Sequence, residues 1–143
     1  MNFESIIVRP PDFVIGNPND PYMRRWYLLP RNEQFNVYLH QFLRSDDDRA
    51  MHDHPWDSFS LVLDGIGIEH VPGGLRRFGA GDIFQRAANH VHRIEVVAGP
   101  IWTLFITGPK VREWGFHCPQ GWRHWRDFVA TVQGGNEIGA GCG

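Results

Sequence analysis

His52 and His54 stand two residues apart in the segment Met51-His52-Asp53-His54-Pro55-Trp56-Asp57-Ser58. Side chains alternate along an extended strand, so both imidazoles project from one face. Neutral imidazole nitrogens can grip one divalent ion at about 2.0–2.1 Å. With 8 histidines in 143 residues such a pair arises easily by composition, so its meaning depends on the residues beyond it. The run Phe59-Ser60-Leu61-Val62-Leu63 leads to the turn signal Asp64-Gly65. Gly81-Asp82 then opens a second unit, in which a lone His92 precedes Arg93-Ile94-Glu95-Val96-Val97.

This joint spacing, from about Asn36 to Val97, resembles the paired motifs of the cupin superfamily. The resemblance implies an all-β fold, a single cupin (jelly-roll) barrel. It also implies one divalent metal ion on His52, His54 and His92, with Fe(II) favoured and Zn or another M²⁺ ion as alternatives. Ser58 falls where the family pattern has a ligating glutamate. Ala87 and Asn89 replace the proline and glycine of the second-motif turn, and Asp46 and Val96 replace an outer glycine and asparagine. His90 takes the place of His92 if the turn register shifts by two.

A narrower likeness, carried by Phe35-Asn36 and Met51-His52-Asp53-His54, is similar to the cysteine dioxygenase branch. That branch uses three histidines without glutamate, and its iron centre binds a thiol amino acid and O₂. Its carboxylate-holding arginine corresponds by spacing to Arg25, with Arg24 adjacent. The planar fork of an arginine suits a bidentate carboxylate. The branch's Ser-x-His-x-Tyr relay is missing here, since Trp102-Thr103-Leu104-Phe105 holds neither histidine nor tyrosine.

The function this implies is a mononuclear metal-dependent enzyme, an Fe(II) dioxygenase acting on a small carboxylate-bearing or metal-chelating substrate. Two alternatives stand beside it: a Zn-dependent hydrolase or isomerase, and a non-catalytic barrel that binds a small ligand. His117 is a candidate general acid or base near neutral pH. His40 shares a strand face with Tyr38 and Phe42 and can face a substrate or sit in the core. Asp57 can reach a metal only if the strand bends at Pro55; Asp53 or Asp57 can also orient a histidine. Arg86 and Arg93 flank the second motif, where an anion can meet them.

These residues need a scaffold of short strands. The chain reads as one barrel domain over residues 1–132 and a disordered Gly-rich tail over 133–143. The proline-rich start predicts an extended N-terminal arm with an edge strand over Ser5–Val8. Asp64-Gly65 and Ala98-Gly99-Pro100 read as turns between separate strands. Gly121–Val132 carries apolar residues at helical spacing, which predicts a short C-terminal helix, and the Trp-rich stretch from Trp114 to Phe128 reads as barrel packing.

A net charge of −2 and a pI near 6.4 give no electrostatic case for nucleic acid. No apolar run is long enough to span a membrane, and the N-terminus lacks the pattern of a secretory signal. The 2 cysteines suggest no disulfide framework, which fits a cytoplasmic setting. The family resemblance further implies a homodimer.

Overall fold

Val, Ile, Phe, Tyr and Trp gather in short runs punctuated by Gly, Pro and Asp, a pattern that favours strands. The computed structural model describes residues 5, 7–46, 50–130 and 137–143. Its strands are β1 (Phe13–Asn17), β2 (Asp20–Tyr27), β3 (Asn36–Phe42), β4 (Met51–His52), β5 (Ser58–Val71), β6 (Gly74–Phe78) and β7 (Ile83–Arg86). Next come β8 (Arg93–Thr107), β9 (Gly115–Cys118), β10 (Gly121–His124), one helical turn α1 (Trp125–Phe128), β11 (Val129–Ala130) and β12 (Glu137–Ile138). The main sheet runs β1-β2-β3-β8-β5-β6, with β7 also on β5; a smaller sheet runs β10-β9-β4.

Every pairing is antiparallel, and the two sheets both contribute walls to one cavity of about 350 Å³. The fold is all-β. Among the described residues no helix is long and apolar enough to cross a membrane.

Two expected turns are instead irregularities inside long strands. β5 continues straight through Asp64-Gly65, with register shifts against β8 between Val62 and Gly67. Gly65 supplies a φ of +88°, and its N–H bonds the Asp64 carboxylate at 2.8 Å. An extra residue in one strand of a ladder reverses which face the following side chains take. Ser58, Ser60 and Val62 are buried before the irregularity; Gly67 and Glu69 are buried after it. Gly67 must be glycine, because a Cβ there would stand 2.5 Å from the Phe78 ring. β8 likewise runs unbroken past Ala98-Gly99-Pro100.

Both chain ends differ from expectation. Ser5 and Ile7 are helical, so the Ser5–Val8 edge strand does not form, and β1 and β2 make a hairpin instead. Pro21 is tolerated in β2 because β3 begins pairing only at Met23. At the other end, Gly121–His124 is strand β10, and only Trp125–Phe128 turns helically. A Cβ on Gly115 would lie 2.1 Å from the Arg123 carbonyl oxygen, so its absence is what lets β9 and β10 close.

Within the Gly-rich tail, β12 pairs with β11, and Gly139 and Gly141 donate to the Phe128 carbonyl. Residues 133–136 lie outside the described residues. Cys118 and Cys142 form a disulfide, contrary to the expectation of no disulfide framework, and this removes that argument for a cytoplasmic setting.

Candidate metal centre

The end of β4 and the turn before β8 meet edge to edge. His52 and His92 pair through both backbone bonds, 2.8 Å from His52 N to His92 O and 3.0 Å in return. Two residues on, His54 N donates to the Ala88 carbonyl at 2.9 Å. The three imidazoles therefore converge, with each pair of ring centroids 5.0 Å apart. One nitrogen from each lies within 4.8 Å of the others. Burial pushes all three imidazoles below their ordinary pKa, so their lone pairs are available at neutral pH.

His92 is oriented by a residue the sequence pattern does not flag. Glu69 Oε2 meets His92 Nδ1 at 2.7 Å, which leaves Nε2 to face the other two rings. The same oxygen accepts from Arg86 Nε at 2.6 Å, and both side chains are buried. A carboxylate behind a ligating histidine fixes its tautomer and raises its basicity. Glu69 reaches this position because the β5 irregularity turns it inward; the i, i+2 glycines Gly65 and Gly67 are the sequence signal that marks it.

Glu69, His90 and His92 form a second close group. The Arg86 guanidinium already neutralises that carboxylate and would repel a second cation. His90 Nε2 is 3.6 Å from Glu69, so His90 belongs to this network, and His92 is the partner of His52 and His54. Three neutral imidazoles, one held by a buried carboxylate, fit a divalent ion that keeps coordination positions open toward the cavity.

Register separates the two candidate arginines. Arg25 pairs with His40 and lines the cavity, whereas Arg24, on the opposite face of β2, reaches the Gln41 side chain at 3.4 Å. Arg24 is thereby removed from the site. Arg25 Nε donates to His40 Nε2 at 2.9 Å, and its guanidinium lies 4.6 Å from the Tyr38 ring centre. No carboxylate partners it among the described residues. Burial holds His40 neutral, well below its ordinary pKa, with the Arg25 charge adding to the shift. A stacked series links this corner to the triad: His40 on Phe105 (4.9 Å), Phe105 against Trp56 (5.4 Å), Trp56 on His54 (5.3 Å).

No family model and no curated protein matches the chain. Solved structures do. KdgF from a Halomonas species is 18% identical, covering 70% of this chain and 96% of its own, with a TM-score of 0.53. An RmlC-like cupin from Shewanella frigidimarina is 20% identical, covering 68% and 83%, with a TM-score of 0.51. The DMSP lyase DddQ from Ruegeria pomeroyi is 18% identical, covering 75% of this chain and 57% of its own, with a TM-score of 0.57. The chain has the cupin fold.

In this barrel the acids near the histidine pair serve the scaffold. Asp53 points away from the triad, as its odd position between His52 and His54 requires. It is 1% exposed and accepts from Gly115 N at 2.8 Å, Arg112 at 2.9 Å, His117 at 3.0 Å and Trp122 at 3.0 Å. Burial opposes its charge, but these donors outweigh that and hold its pKa below the usual carboxylate value. Asp57 accepts from Ala88 N at 2.8 Å, bracing the turn before His92. His117 is half-exposed on Asp53 and does not line the cavity, so the structure does not bring it to the triad.

The Trp-rich segment is more than packing. Trp114, Phe116 and Phe128 line the cavity, with Phe116 and Phe128 stacked at 3.6 Å, and together they cover it.

Proposed function

We propose that this cupin is a metal-dependent enzyme with one divalent ion on His52, His54 and His92, and that it oxidises a small carboxylate-bearing substrate with O₂. The observation that carries the reading is the triangle of buried neutral imidazoles opening on a walled cavity that also holds Arg25. When bound there, Fe(II) supplies dioxygen chemistry, whereas Zn(II) supplies Lewis acidity and an activated water.

The chain's own contributions are positional. Glu69 and Arg86 fix the His92 ring, and Arg25 offers a bidentate fork to the substrate carboxylate. The aromatic cover limits water around the reacting groups, which strengthens every polar contact inside. Held in one cavity, substrate and co-substrate meet without the entropy cost of a bimolecular encounter.

Elemental analysis of the untagged protein beside a His52→Ala/His54→Ala variant tests the reading. Near-stoichiometric iron, lost in the variant and accompanied by substrate-dependent oxygen uptake, supports it. Zinc without oxygen uptake moves the hydrolase or isomerase alternative forward. A folded wild type that neither contains nor takes up Fe(II) or Zn(II) overturns the metal centre.

A further inference from the structure

The cavity's walls specify more than a carboxylate. Beyond the triad its floor is a cluster of Val62, Phe78, Phe84 and Ile101, with Phe42 packed against it. Phe105 and Trp56 form the wall between Arg25 and the histidines. A volume of about 350 Å³ exceeds what an ion and a few waters fill.

Arg86 also lines the cavity but is bound to Glu69, so Arg25 is the cation left without an acid among the described residues. The one acid among the described lining residues is Asp46. Its oxygens accept from the Tyr22 hydroxyl and from Ile94 N at 2.6 Å. Both donors are neutral and hold Asp46 in place without cancelling its charge. A ligand carboxylate finds Arg25, and an apolar body finds the floor.

We infer that the cavity is built for a monocarboxylate with an apolar or aromatic body, its carboxylate on Arg25 and its body on the Val62–Ile101 floor. This deepens the proposed function and rests on it for the chemistry, but the binding itself requires no metal.

Matched ligands test this by titration calorimetry on metal-stripped protein. 3-Phenylpropanoate and 3-phenylpropanamide share one body and differ in the carboxylate; propanoate lacks the body. The expected order is 3-phenylpropanoate tightest, with each of the others weaker by roughly 10- to 100-fold, the effect of one charge-assisted pair or of one buried ring. Arg25→Met should erase the preference for acid over amide, with near-UV circular dichroism confirming an intact fold. 3-Phenylpropanamide or propanoate binding as tightly as 3-phenylpropanoate overturns the inference, as does no binding to folded wild type.

The same series on the His52→Ala/His54→Ala variant separates the two readings. Retained 3-phenylpropanoate binding in the variant, beside a wild type that takes up neither Fe(II) nor Zn(II), leaves this inference standing and rejects the metal centre. Metal uptake by wild type without the ligand preference does the reverse.

Discussion

At Glu69 one carboxylate oxygen serves both His92 and Arg86, so its removal acts on affinity and on stability by separate routes. Glu69→Gln keeps the shape but loses the charge behind the ligand. Metal affinity, read by competition with a chromophoric chelator, should fall about 10- to 100-fold. Glu69→Leu leaves Arg86 buried and unpaired, which should cost about 3–5 kcal/mol in urea unfolding. Adding Arg86→Met to that variant should recover most of the loss, because an apolar pair replaces an orphaned charge.

The neutral histidines make a second prediction at this scale. Burial holds His40, His52, His54 and His92 below the ordinary value of 6.5, so below that pH the unfolded chain binds more protons than the folded one. Stability of metal-free protein should therefore be full above about pH 6.5 and decline as pH falls beneath it. Urea midpoints at three pH values on either side of that point check the sign.

The elements show why some of this is legible in the chain and some is not. The His52–His54 pair and the Tyr38-His40-Phe42 stripe each lie on a short stretch where period two holds, so their faces follow from spacing alone. Glu69 lies beyond an irregularity whose place is set by distant packing, Gly67 against Phe78 and Ile101, and no local period carries through it. Arg24 and Arg25 are alike in type and differ only in parity, which becomes readable once β2 is aligned on His40. The short C-terminal helix expected within Gly121–Val132 forms, among the described residues, over Trp125–Phe128 alone, because the spacing ahead of it also suits a hairpin strand, and Gly115 decides the matter across the sheet. Gly115→Ala should therefore destabilise the protein by about 1–3 kcal/mol, the usual cost of overpacking. Faster amide exchange in β9 and β10 than in β3 would locate the damage there.

On the scale of the whole molecule, the barrel and its cover are joined at the stretch that carries His52 and His54. His52 and His54 face the cavity while Asp53, between them, holds Arg112, Gly115, His117 and Trp122 of the cover. β9 pairs with β4 along the same stretch, and Cys118–Cys142 ties the chain end to β9. Local sequence is silent on this join, because composition describes a glycine-rich tail without revealing a distant cysteine partner. One consequence concerns truncation. A premature stop after Lys110 deletes no ligand, yet it strips β4 of its neighbour and Asp53 of all four donors. Such a shortened product is expected to retain all three histidines and to purify with far less metal than the full chain.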